Sequence, residues 1–235
     1  MEKLRPISKV RLQPQKERST EKPLVGKQLG GLSLPTLPPA IHSRPLRGLR
    51  AQKPSVFRIL DFDIENRPLS YLGMDFTTAD ITAIAWSWVG EKKVECWALG
   101  EVTTEIMLDQ FLNVYNEADM VTGHYIRKHD LPHLNGSLME HGMSVLSPKL
   151  TSDTKLDLLK RQGISASQEN LSSMLGLPEP KHHMSTTEWR AANRLTKDGI
   201  KLAKTRCCAD IVQHKALRKI LVERGMLGPP RVWSP

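Results

Sequence analysis

Three carboxylates stand at alternate positions in Asp61-Phe62-Asp63-Ile64-Glu65. The surrounding Val56, Phe57, Ile59 and Leu60 mark residues 58–65 as a buried strand, where side chains two apart share a face. Like charges packed that closely raise one another's pKa and destabilise the fold unless a cation neutralises them, and a hard metal ion is the usual cation. A strand end running out into solvent would also tolerate them. Two more acids stand where the chain gives a reason to notice them. Asp130, followed by Leu131 and Pro132, fits the start of a helix, and an N-cap role would be enough to account for it. Asp210 interrupts an apolar helical stripe of Cys208, Val212, Ala216 and Ile220, with Ile211, Leu217 and Leu221 beside it. Aspartate has low helix propensity and is destabilised by desolvation there, so it needs a partner. Arg206, one turn back, could be that partner as a plain ion pair.

The elements that must carry these residues can be read from periodicity. After the first strand, residues 80–89 and 93–99 read as strands joined by a turn at Gly90-Glu91, giving an antiparallel meander. Trp86 and Trp88 fall on one face of the second strand and suit packing against a helix better than base stacking. Residues 103–118 repeat Met107, Phe111, Val114 and Ala118 at helical spacing, with Thr103 or Thr104 as N-cap. A short strand at 119–123 follows, then a helix through Leu131, Leu134, Leu138 and Met139, a strand at 149–153, and a helix at 155–161 ended by Gly163. A short helix at 168–175 closes at Gly176, and residues 178–185 read as a loop holding Lys181, His182 and His183. The adjacent histidines lack further ligands at zinc spacing, so a phosphate-contacting or merely polar loop suits them better. The last long helix runs over 198–224, with Gly225, Pro229 and Pro230 ending the fold and 228–235 left as a short tail.

Charge divides the chain unevenly. Residues 1–55 carry 12 Lys and Arg against 3 acidic residues, and the remaining 180 carry 22 of each. The same segment holds 8 of the 16 prolines and no Phe, Tyr, Trp or Cys. Such a composition cannot bury enough apolar surface to offset its ordering entropy, so a disordered basic Pro-rich tail is expected ahead of a domain at 56–227. Dispersed Lys and Arg suit nucleic-acid phosphates, and the stretch holding Pro35, Pro38 and Pro39 could equally dock a protein. Cys96, Cys207 and Cys208 make neither a disulfide framework nor a C-x-x-C pair, which fits reduced thiols in a cytoplasmic protein. No apolar run has the length of a membrane span, so no membrane partner is expected. Organelle targeting is a minor option, because Pro6, Pro14 and Pro23 argue against an amphipathic presequence.

The ordered carboxylates Asp63, Glu65, Asp130 and Asp210 resemble the four of the DEDD, or DnaQ-like, 3′-to-5′ exonuclease family on the RNase H-like fold. The first family motif corresponds to Asp63-Ile64-Glu65. Gly123-His124-Tyr125 running on to His129-Asp130 resembles the next motif, and Arg206-Cys-Cys-Ala-Asp210 resembles the last. Asp153-Thr154-Lys155-Leu156 is similar to a strand-to-helix junction common in these enzymes. The likeness spans residues 56–225 and implies an α/β fold with a mixed sheet, an antiparallel meander plus parallel strands, flanked by helices. It also implies two Mg²⁺ or Mn²⁺ ions, one held by Asp63, Glu65 and Asp210, the other by Asp63 and Asp130, for hydrolysis of phosphodiesters. Single-stranded or frayed DNA is the expected substrate, with RNA a weaker option and a replication or repair protein a candidate partner of the tail. Asp61 lies outside the motif and is expected to support the site or face solvent.

Two departures from the family pattern bear on activity. The usual Tyr or His base before the last Asp is replaced by Arg206 and Thr205, and arginine cannot act as a base at neutral pH. His182, His183 and His214 are the candidate substitutes, His214 lying one turn beyond Asp210. The other departure is Tyr125 where Asn is usual and His129 where an aromatic is usual. His124, Tyr125, Lys181, His182 and Arg206 are the expected nucleic-acid contacts. Loss of the base also leaves open a catalytically silent module that binds nucleic acid or tethers a partner.

Overall fold

The computed structural model describes residues 56–69, 79–159, 163–177 and 183–235. The basic tail, residues 70–78, Lys181 and His182 lie outside the described residues. Among those described, six strands form one mixed sheet in the order β3-β2-β1-β4-β5-β6. β1 (Ile59–Pro68), β2 (Ala79–Trp88) and β3 (Glu95–Ala98) make the antiparallel meander expected from the sequence. β4 (Met120–Gly123) and β5 (Lys149–Asp153) then add parallel to β1, and β6 (Arg231–Trp233) closes antiparallel on β5.

Alternation along β1 sorts its side chains. Leu60, Phe62 and Ile64 enter the main core with Met107, Phe111 and Tyr115 of α1 (Thr104–Glu117) and Leu131, Leu134 and Leu138 of α2 (Asp130–Glu140). Phe111 is its centre, with ring centroids 5.0 Å from Phe62 and 6.4 Å from Trp86. Trp86 is thus packing surface, as its exposure of only 4% confirms. The intervening residues Asp61, Asp63 and Glu65 point to the opposite face. That face is covered by α5 (Lys197–Glu223), whose Cys207 and Ile211 pack on Ala83, Ala85 and Ala98. Small residues on the strands let the helix approach closely. A β-bulge between Glu65 and Asn66 ends the regular register there.

Three parts differ from the sequence expectation. Residues 155–159, the described part of the helix expected at 155–161, are not helical: the Asp153 carboxylate takes the amides of Lys155 and Leu156, and the chain is then drawn toward the C-terminal segment through Leu159 N to Met226 O at 2.8 Å and Gly228 N to Asp157 O at 2.8 Å. Residues 228–235 are not simply a tail, because β6 within them pairs with β5 through Thr151, Leu150 and Lys149. An unanticipated helix, α4 (Thr186–Asn193), begins at a Ser185/Glu188 capping box, a signal present in the sequence. It follows the short α3 (Gln168–Met174) and packs on α5. Gly199 permits this approach, because a Cβ there would collide with the backbone of Ala191.

Candidate metal centre

The centre lies where β1 continues past its neighbour. Parallel pairing with β4 stops at Asp61 and Thr122, and Gly123 then turns the chain away. Gly123 is required there, since a Cβ would stand 2.8 Å from the Phe62 carbonyl. The next two outward-facing residues of β1, Asp63 and Glu65, therefore extend beyond β4 and open toward α5. Asp210 comes down from α5 to meet them. Ligand oxygens of Asp63, Glu65 and Asp210 all lie within 4.8 Å of one another, with Glu65 and Asp210 buried and Asp63 half-buried. Three of the four expected carboxylates thus converge.

Asp130 takes a different set of contacts. It is the first residue of α2, and His129, not Asp130, occupies the N-cap position. The Asp130 carboxylate accepts from the amide of Ile64 at 3.2 Å and faces His129 Nδ1 at 3.3 Å. It therefore abuts the backbone between Asp63 and Glu65 without joining their three-carboxylate cluster. The hydrogen bond to Asp130 raises the His129 pKa above its ordinary value, with Coulombic attraction to Asp130 and Glu65 adding to it and partial burial opposing it.

Arg206 sits among the acids. Its Nε lies 2.7 Å from Glu65 Oε1 and its Nη2 3.5 Å from Asp210 Oδ2, and the guanidinium carbon stands 5.1 Å from the centroid of the Trp189 ring. Trp189, on α4, carries no signal of this role in the sequence. Cys207 also reaches the centre, its Sγ lying 3.4 Å from the Asp63 carbonyl and 3.6 Å from Asp63 Oδ2. Burial pushes the pKa of the Cys207 thiol up from its ordinary value, with the contact with Cys96 and the charge of Asp63 adding to it.

Asp61 does not face solvent. It is fully buried, and both its oxygens lie 2.8 Å from His214 Nδ1. The other nitrogen of His214 lies 3.0 Å from Thr154 Oγ1, which in turn stands 3.0 Å from His124 Nδ1. With both ring nitrogens used in a buried chain, His214 is a structural link and does not present a nitrogen as a base. His183 is exposed and paired with Glu169 at 3.1 Å. His182 and Lys181 lie outside the described residues.

The loop that holds His124 and Tyr125 is organised by Asp153, which the sequence marks only as a strand-to-helix junction. Its buried carboxylate accepts from the amides of Tyr125, Arg127, Lys155 and Leu156 at 2.9–3.1 Å. Tyr125 adopts a left-handed backbone, φ 73°, and Lys155 Nζ stands 3.9 Å over its ring. Asp157 completes the support by accepting from Asp153 N at 2.9 Å and from both terminal nitrogens of Arg127 at 3.0 and 2.5 Å. A short Asp-x-x-x-Asp after a strand is the available signal.

No protein-family model matches the chain, and no curated protein matches it. Among solved structures it is similar to the family B DNA polymerase from the hyperthermophilic archaeon Pyrobaculum calidifontis, at 14% identity and a TM-score of 0.50, over 71% of this chain and 25% of the polymerase chain. This likeness is one of fold alone. The chain spans a quarter of that polymerase's length. Among the described residues no helix is long and apolar enough to cross a membrane.

Proposed function

We propose that this chain is a metal-dependent phosphodiesterase of the 3′-to-5′ exonuclease type, acting on single-stranded or frayed DNA with Mg²⁺ or Mn²⁺. The observation that carries this reading is the convergence of Asp63, Glu65 and Asp210 at the end of the central strand. The donor set fits a hard divalent cation: all oxygen, mostly buried, and carrying more negative charge than one guanidinium neutralises. An ion bound there would activate a water and stabilise the departing oxygen. Asp130 supports the arrangement by fixing the β1 backbone between Asp63 and Glu65. His124 and Tyr125, held by Thr154 and Asp153, are the groups we assign to the substrate's terminal nucleotide, and Lys155 over Tyr125 adds positive charge beside it. Arg206 contributes a cation for the substrate backbone, and the basic tail adds sequence-independent affinity. Localisation in the cytoplasm and a replication or repair partner for the tail belong to the same proposal.

The test is degradation of 5′-labelled single-stranded DNA, with RNA alongside, comparing the native chain with Asp63→Ala. A ladder shortening from the 3′ end that disappears in the variant supports the reading. An alternative, a silent nucleic-acid-binding module, is favoured by the contacts of Arg206 with Glu65 and Asp210 in the place where the family has its base and beside its ions. DNA binding without cleavage under either metal would select it.

A further inference from the structure

The chain's three cysteines, Cys96 and the adjacent Cys207 and Cys208, meet where β3 rests on α5. Directly opposed residues of an antiparallel pair share a face. Cys96 lies opposite Ala85 and Ala98 opposite Ala83, so Cys96 projects with these alanines toward the helix. Cys207 is buried against them, while Cys208 packs on the same cluster and stays, like Cys96, half-buried. All three are free thiols, and that of Cys96 contacts both of the others. Soft metal ions favour such sulfurs. Among the described residues, however, Asp63, Glu65 and Asp210 are the one set of three or more potential ligands that come within 4.8 Å of one another.

The contacts suit oxidation instead. Hydrogen bonds from Cys207 and then Cys208 lower the Cys96 pKa, and Lys204 adds to this, while burial and Glu101, 2.6 Å from the Lys204 ammonium, oppose it. The same contact raises the pKa of Cys208. A thiolate-prone, half-buried sulfur thus stands beside a thiol that can capture its oxidised form. We propose that Cys96 is a site of oxidation by peroxides, with Cys208 closing it into a disulfide between β3 and α5. The Cys96 thiolate attacks one oxygen of hydrogen peroxide, the O–O bond breaks, and Cys96 becomes a sulfenic acid as hydroxide departs. The Cys208 sulfur then attacks the Cys96 sulfur, and the sulfenic hydroxyl leaves with the Cys208 proton as water. Two electrons pass from the pair of sulfurs to the peroxide. Cys207 is set apart from this step, being fully buried with its Sγ 3.4 Å from the Asp63 carbonyl. Nor do Cys207 and Cys208 pair with each other, because successive Cα atoms about 3.8 Å apart are too close for an ordinary disulfide. The bond would fasten the sheet's edge strand to the stretch of α5 that carries Asp210.

The experiment treats the reduced full chain with a small excess of hydrogen peroxide, blocks the remaining thiols by alkylation, and maps the peptides by mass spectrometry without reduction, for the native protein, C96S, C207S and C208S. A chelator is present throughout, so the result does not depend on the metal reading of the carboxylates. The native chain should lose two of its three free thiols and yield a linked pair of peptides that dithiothreitol separates. C207S should close the same bond. C208S should stop at a sulfenic acid on Cys96, trapped by dimedone, and C96S should keep both of its thiols. No loss of thiols in the native chain, a disulfide in C208S, none in C207S, or a bond joining two chains would each overturn the proposal. Should C207S fail to fold, fragmentation of the native linked peptide between Cys207 and Cys208 assigns the bond.

Discussion

The amide of Ile64 donates to the Asp130 carboxylate at 3.2 Å, tying the start of α2 to β1 midway between Asp63 and Glu65. Asp130 is therefore a structural acceptor, as the proposed function has it. Asp130→Asn retains an oxygen for that amide and should lower stability little, whereas Asp130→Ala orphans a buried donor and should cost about 1–3 kcal/mol. Urea denaturation of the two variants measures the difference. Equal losses would show that the amide does not depend on this oxygen.

Asp157 and Arg127 form a two-pronged buried pair at 3.0 and 2.5 Å. Removing the acid in Asp157→Ala leaves a mostly buried guanidinium uncompensated, and a destabilisation of about 3–5 kcal/mol is expected. The double variant with Arg127→Met should be less destabilised than the sum of the singles, because it removes the stranded charge as well. A double-mutant cycle by chemical denaturation gives the coupling, and strict additivity would sink this account.

His129 makes stability depend on pH. Its pKa in the folded protein is raised above 6.5, first by the hydrogen bond to Asp130. A raised value means the protonated form binds better in the folded state, so the contribution is fully present below about pH 6.5 and is lost as pH rises through the folded value. The native chain should lose melting temperature relative to His129→Gln across that interval. Parallel curves would exclude the linkage.

Deleting residues 1–55 removes 12 Lys and Arg. Affinity for single-stranded DNA should fall and its dependence on salt should flatten, by about 0.7 in the log–log slope for each phosphate the tail no longer neutralises. Filter binding across a salt series reads this directly. An unchanged slope would mean the tail does not touch the backbone.

Much of the fold was legible because its signals are local. The meander announced itself through three apolar runs and Gly90, and α1 and α5 through apolar stripes at helical spacing. The convergence of Asp63, Glu65 and Asp210 was expected from the likeness of their order and spacing to a known four-carboxylate pattern, which grouped Asp130 with them as well. What the sequence hid were contacts between distant segments. Nothing near Asp61 announces that His214, 153 residues on, will lie 2.8 Å from it. The stretch after β5 looks helical in isolation, yet the Asp153 carboxylate and the backbone of Met226 claim its amides. β6 is three residues long, too short to show a period, and is defined only by its partner. Arg206 was visible as an ion-pair partner of Asp210, but its closer approach is to Glu65 on another element.

The alternation along β1 has a consequence for how this chain can vary. Core and acids share the same few residues, Leu60, Phe62 and Ile64 on one side and Asp61, Asp63 and Glu65 on the other. Conservative exchanges at either set leave the other untouched. A one-residue insertion or deletion between 59 and 65 would instead exchange the two sets at once, sending carboxylates among Phe111 and Leu134 and apolar side chains toward Arg206. The strand should thus accept changes of identity and refuse changes of length, while the bulge after Glu65 marks the first place downstream where a length change could be absorbed.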